Sequence, residues 1–302
     1  MGQQTLPRVE RGELFHKISF SAMASPCELL VEIGDDDNQK LNALADAAFF
    51  EVQRIEQKFS RYRRDNLCFR INNANGKKVS IDDECFRLFE FANECFIASE
   101  GLFDITSGVL RKAWHFDGSH RIPQQKLIDE LLKKIGWQKV DYDKEYLKMP
   151  AGMEIDFGGI GKEYAVNRVA QLCSELDSSI SIVINFGGDI QITRPQKNNK
   201  AWHIGIENPD IENSAQGVLK IVSGALATSG DAKRFLLHKG KRYGHILNPR
   251  TGWPVTGAPR SITVAAQQCI QAGCLATMAL LQGKYAEDFL KAQNVNYWCV
   301  WE

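Results

Sequence analysis

The chain has no surplus of either charge: Lys and Arg together number 37, and so do Asp and Glu, among 302 residues. Without a basic excess little can neutralise a run of phosphates, so no nucleic-acid partner is expected. There is no apolar run long enough to cross a bilayer, and no membrane segment is expected. The opening MGQQTLPRVERGELFHK also lacks the apolar core of a signal peptide, which points to a cytoplasmic protein. Eight cysteines are present, at 27, 68, 85, 95, 173, 269, 274 and 299, but no CxxC and no paired Cys/His spacing. That removes the common zinc frameworks. The cysteines mostly lie within apolar runs and read as reduced core thiols in a reducing compartment. Internal repeats and low-complexity linkers are missing too, so the parts belong to one α+β body.

What is present alternates between helical and strand periodicity. Apolar residues at Leu41, Leu44, Ala45, Ala48, Val52, Ile55 and Phe59 predict a helix over 40–59. It ends in Phe59-Ser60-Arg61-Tyr62. A second buried helix is expected near 84–98, followed by Gly101-Leu102-Phe103-Asp104-Ile105-Thr106-Ser107-Gly108. The more polar stretch 117–141 reads as a peripheral insertion with a helix around 124–135. Residues 18–33 begin with small residues, Met23 among them, and end in a strand-like run; Met23 alone is more often core filler than a ligand contact. Further strands are expected at 153–157, 181–192 (around Gly187-Gly188-Asp189), 202–207, 217–222, 261–266 and 297–301, with a helix over 269–281.

The stretch 227–255, ATSGDAKRFLLHKGKRYGHILNPRTGWPV, organises the rest. Two runs joined by Lys239-Gly240 read as a hairpin. The Pro-, Gly- and Asn-rich segment beyond it is a shaped loop that carries His245. Segment 153–176 reads as strand, glycine loop (Gly158-Gly159-Ile160-Gly161-Lys162) and amphipathic helix, the arrangement that aims free N–H groups at an anion. It is neither a Walker loop nor GxGxxG, and tight strand-to-helix packing would leave the same composition. Glycine turns at 158–161, 187–188, 230 and 252 lie beside Asp104, Asp156, Lys162, Asp189, Asp231 and His245. Such turns allow backbone to approach an oxygen-rich ligand. The residues by themselves thus point to an enzyme handling a phosphate-bearing molecule.

Taken in order, the Met23 turn, FSRY, GLFDITSG…L…W, IDFGGIGKEYAVNR, VINFGGDI and ATSGD…HILNPRTGWPV resemble the ApbE family, the FAD:protein FMN transferases. AGCLATMALLQG matches in part. The resemblance implies an α+β fold of two intimately packed subdomains with FAD in the cleft between them. Residues 18–302 would form that single domain and 1–17 an N-terminal extension, in a monomer or weak dimer. It implies transfer of FMN from FAD, with magnesium, to a Thr or Ser hydroxyl of an acceptor protein, releasing AMP. Met23 and Tyr62 would flank the flavin; Leu102, Phe103 and Asp104 would line the pocket. Asp156 and Lys162 would hold the nucleotide part, with Ile246 nearby. His245 would be the catalytic base, since imidazole titrates near neutral pH.

The metal ligands implied are Thr277 and the Gly159 carbonyl, but the usual helix aspartate is replaced by Gly273. Glu163 stands where the family has glycine, and Asn167 where it has aspartate. A hard divalent cation wants anionic oxygen donors. Glu163 or Asp231 could supply that charge, although a glutamate in a first helical turn is also ordinary dipole chemistry. Otherwise the protein would bind FAD as a carrier, or hydrolyse it to FMN and AMP.

Overall fold

The computed structural model describes residues 5–33, 37–116, 121–207, 215–231 and 235–301. Eight strands form one fully antiparallel sheet: Thr5–Glu10, His16–Ala22, Ser25–Glu32, Ser181–Phe186, Asp189–Ile192, Gly224–Gly230, Ser261–Ala266 and Asn296–Val300. Their spatial order is their chain order, so every long excursion leaves and re-enters between neighbouring strands. The boundary expected at residue 18 falls inside the second strand, and Thr5–Glu10 pairs with that strand as a sheet edge. The small residues from 18 onward are thus mostly strand, because alternate positions Ile18, Phe20 and Ala22 reach the core.

Seven α-helices are described: α1 (Asn38–Phe59), α2 (Leu67–Asn72), α3 (Asp83–Ala98), α4 (Gln125–Leu132), α5 (Gly161–Leu176), α6 (Cys269–Leu281) and α7 (Ala286–Ala292). Strand alternation divides the burial between two faces. Ile182, Ile184, Phe186, Ala225 and Ala227 enter the main core with α1, α5 and α6. Val183, Ile190, Ile192 and Leu226 point the other way, onto Trp202 and a two-stranded ribbon of Trp202–Glu207 and Ala215–Ile221.

A smaller core joins the 3-10 segment Ile105–Lys112, α4 and the hairpin Phe235–His238/Lys241–Gly244, burying Val109, Leu110, Trp114, Ile128, Leu131 and Leu236. The helix expected near 124–135 is therefore the floor beneath the hairpin rather than a peripheral insertion. It packs on the 3-10 segment just upstream, and its Ile128 also stands under Gly252, over a hundred residues downstream.

Among the described cysteines all eight are free, and only Cys299 is not buried. Burial pushes the Cys27, Cys68, Cys85 and Cys173 thiols up to about 12. They are inert core groups.

Candidate active site

The strand expected at 153–157 is extended and buried but has no ladder partner. Its backbone is satisfied by a side chain instead: Asn72 accepts from Ile155 N–H at 2.8 Å and donates to Ile155 C=O at 3.0 Å. Asp156 N–H donates to Ile105 C=O at 2.9 Å. This pins the segment against the 3-10 element and directs it into the glycine loop. Gly158 N–H donates back to Asp156 Oδ1 at 3.0 Å. The other Asp156 oxygen pairs with Arg61, whose guanidinium lies 4.9 Å from the Tyr62 ring centroid and donates to the Tyr62 hydroxyl. A Cβ on Gly108 would stand 2.5 Å from Asp156 Cβ, so the closing glycine of DITSG is needed for this approach.

Phe103 and Asp104 form the adjoining wall. Phe103 is buried, and its ring is 3.4 Å from where a Cβ on Gly159 would be. Leu102 is half-buried beside the main core. The Asp104 carboxylate is fully engaged within the protein. Oδ1 accepts from Thr106 N–H and Oγ1 at 2.7 and 2.6 Å, and Oδ2 from Trp137 N–H at 3.0 Å. Burial raises its pKa despite those bonds. Asp104 thus shapes the wall by capping the segment Ile105–Lys112.

Met23 occupies a two-residue hairpin turn with Ala24, both at left-handed φ (52° and 56°). A methionine there is strained by about 1 kcal/mol. Its N–H is held by Glu56 Oε2 at 3.1 Å, and its Cε lies 3.9 Å from the Cβ position of Gly161. Strain kept at a loop tip facing the start of α5 is the pattern of a functional contact.

Two charged side chains, Lys162 and Glu163, follow the loop, and Asn167 stands one turn further along α5. Lys162 Nζ pairs with buried Asp189 at 2.8 Å. Burial, the largest single effect, would lower the lysine's pKa, but the Asp189 charge and hydrogen bond together with the neighbouring Glu163 outweigh it and the net shift is upward. Glu163 is only 8% exposed. Burial first, and Asp189 second, push its carboxyl up to about 8. Its Oε2 has no hydrogen-bond partner. Asn167 instead bridges, accepting from Ile270 N–H at 2.9 Å and donating to Gln191 at 2.9 Å, so it ties α5 to the start of α6.

Helix α6 brings the next pieces in. Cys274 Sγ lies 3.6 Å from Gly159 C=O, and Thr277 Oγ1 donates to Ser229 Oγ at 3.2 Å. Asp231 is held by Arg242 Nε at 3.0 Å and Arg260 Nε at 3.1 Å, one guanidinium on each oxygen. Its charge is thereby balanced in place. Gly244 packs on Asp231, with 3.0 Å from its Cβ position to Asp231 Cβ. The half-buried His245 follows, its ring 6.4 Å from and edge-on to Phe116. Ile246 C=O accepts from Val255 N–H at 3.0 Å, closing the loop, and Trp114 Nε1 donates to Gly252 C=O at 2.8 Å.

Segments 156–162, 227–231 and 244–246 are therefore linked, the first two through α6 and the last two through Asp231. Two cavities, of about 670 and 460 Å³, lie elsewhere. The larger is lined by Cys95, Gln271, Cys274 and Met278, and neither is lined by Met23, Tyr62, Lys162 or His245. Sequence reading passed over Arg61 and Glu56. The signal for Arg61 was a charge inside the otherwise uncharged FSRY; Glu56 had none.

A match to the ApbE family runs over residues 23–300. This chain belongs to the ApbE family. Among ApbE relatives, the FAD:protein FMN transferase of Klebsiella pneumoniae (strain 342) is 30% identical over 254 residues, 82% of this chain and 76% of that one. The enzyme of the same description from Haemophilus influenzae is 25% identical over 264 residues, 82% and 76% of the two chains. The crystal structure of the ApbE protein of Thermotoga maritima superposes with a TM-score of 0.86 at 28% identity, covering 94% of each chain. The flavin transferase ApbE of Vibrio cholerae gives 0.83 at 22%, covering 97% and 94%. The α+β ApbE fold expected from the motifs is the fold observed.

Proposed function

We propose that this chain is an FAD:protein FMN transferase, moving FMN from FAD to a Thr or Ser hydroxyl of an acceptor protein. The observation that carries the reading is the linkage of the glycine loop, the ATSGD strand end and the His245 loop through α6 and Asp231. In the transfer step the acceptor oxygen forms a bond to the FMN phosphorus, and the diphosphate P–O bond breaks. AMP leaves with the electron pair, and the hydroxyl proton passes to a base. His245 is assigned as that base, seated after the hairpin and against Phe116.

Lys162, paired with Asp189, would meet diphosphate charge. Met23 and Tyr62 would border the flavin, Leu102 and Phe103 the pocket wall, and Asp156 the nucleotide through the Arg61 pair. Among the described residues no cluster of three or more His, Cys, Asp or Glu side chains forms a metal centre. Donors of other kinds are carried by the elements that meet here: Thr277 Oγ1 on α6, the Gly159 C=O that Cys274 of α6 contacts, and the Glu163 Oε2 on α5, buried without a partner. This set fits a hard oxygen-seeking cation such as magnesium, which would supply charge neutralisation at the diphosphate.

Incubation with FAD, Mg²⁺ and a Thr-bearing acceptor peptide should release AMP only when peptide is present. H245A should lose transfer while still quenching FAD fluorescence. AMP release without peptide would make the protein a hydrolase, and unimpaired transfer by H245A would remove the base assignment. Among the described residues no helix is long and apolar enough to cross a membrane; a cytoplasmic site of action remains part of this proposal, as does a monomer or weak dimer.

A further inference from the structure

Glu163 and Gly273 face each other across α5 and α6, and neither is intelligible alone. A Cβ on residue 273 would stand 2.6 Å from Glu163 Cγ and 3.1 Å from both Cδ and Oε1. Those separations are well inside van der Waals contact with the root of the carboxyl group, not with a free chain end. The Glu163 side chain therefore occupies the volume that any side chain at 273 would fill. It is more than nine-tenths buried, and its Oε2 has no hydrogen-bond partner. An unsatisfied buried carboxylate oxygen is costly, and a structure keeps one where something absent from the bare protein meets it.

The surroundings indicate what that is. One helical turn beyond Gly273, on the same face of α6, lies Thr277, whose hydroxyl reaches Ser229. The neighbouring Cys274 thiol contacts the Gly159 carbonyl two residues before α5 begins. A hydroxyl on α6, a main-chain carbonyl of the glycine loop that α6 touches and a carboxylate on α5 packed against α6 are donors of the kind a hard divalent cation takes. The neighbouring Lys162 is committed to Asp189. The other nearby carboxylate, Asp231, is already neutralised by two arginines.

We infer that the Glu163 carboxylate, reaching from α5 into the space left by Gly273, is the anionic ligand of a divalent cation shared with Thr277 Oγ1 and the Gly159 carbonyl. The glycine at 273 is the steric condition for that reach. The inference deepens the transferase reading and rests on it for the presence of a cation.

The test is direct cation binding, with Mn²⁺ as probe and free Mn²⁺ followed by electron paramagnetic resonance, on the full chain with and without saturating FAD. The wild type should bind one Mn²⁺. E163Q, which keeps size and fold, should weaken binding roughly tenfold or more. The exchanged pair E163G/G273D returns a carboxylate to the same volume from α6 and should recover most of the affinity. Unchanged Mn²⁺ affinity in E163Q, or no Mn²⁺ bound by the wild type in either condition, overturns the inference; the carboxyl would then be a neutral buried acid. AMP release is measured in parallel so that the two readings can fail separately. Glu163-dependent Mn²⁺ binding without AMP release sustains the cation site and sinks the transferase. AMP release with Mn²⁺ binding indifferent to E163Q does the reverse.

Discussion

At the scale of single residues, the pairing of Glu163 with Gly273 makes the effect of one methyl group depend on the residue opposite. G273A should cost about 1–3 kcal/mol, because its Cβ is driven into a well-packed neighbour. In an E163G background the same change should instead stabilise by up to about 1 kcal/mol, since alanine favours the helix over glycine. A double-mutant cycle read from urea unfolding measures the coupling; additive effects would show that the two side-chain volumes do not compete. Glu163 by letter is an acid in a first helical turn, indistinguishable from a dipole partner. Only its burial and the missing side chain at Gly273 opposite give it another meaning.

At the scale of elements, charge holds the helical layer together. Glu84 on α3 accepts from Arg54 and Lys58 of α1 at 2.6 and 2.5 Å, and from the Tyr164 hydroxyl of α5 at 2.6 Å. Burial pulls this carboxyl upward, yet the three donors outweigh it and hold it down to about 2, below the ordinary 4.5. A depressed carboxyl contributes stability that is complete above pH 4.5 and is lost as the pH falls toward 2. E84Q should therefore cost about 1–3 kcal/mol at neutral pH, with the gap to wild type closing across that acid window. A pH-independent gap in thermal melts would mean that Glu84 acts by packing alone.

The second core makes a separate claim about elements. Ile128 of α4 is fully buried in the core that α4 shares with the 3-10 segment and the hairpin. I128A should cost about 2–5 kcal/mol. It should also speed hydrogen exchange at 245–253, because the loop bearing His245 stands on that floor. Normal exchange there would separate α4 from the site.

At the scale of the whole molecule, one antiparallel sheet in chain order carries its functional loops as excursions. The glycine loop precedes the fourth strand; the ATSGD end closes the sixth, and the His245 loop follows the sixth. If one dinucleotide spans these loops, FAD should slow hydrogen exchange at 156–162, 227–231 and 245–252 together. Protection confined to one of them would refute a shared site.

The sequence by itself determined the elements and the family. The helix over 269–281 and the strand over 261–266 carry their periodicity in adjacent letters, and the ordered glycine motifs are local backbone requirements. Tertiary structure decided the rest. Segment 153–157 alternates like a strand, but Asn72 from a distant helix takes its hydrogen bonds. The helix α4, which reads as part of a peripheral insertion, shares a core with the 3-10 segment and the hairpin, and Asp231, a candidate cation ligand by letter, is closed off by Arg242 and Arg260. Gly273 reads as a ligand lost until α5 is laid beside it. Periodicity is a property of neighbours along the chain, whereas who satisfies a polar group or fills a volume is fixed only when remote segments meet.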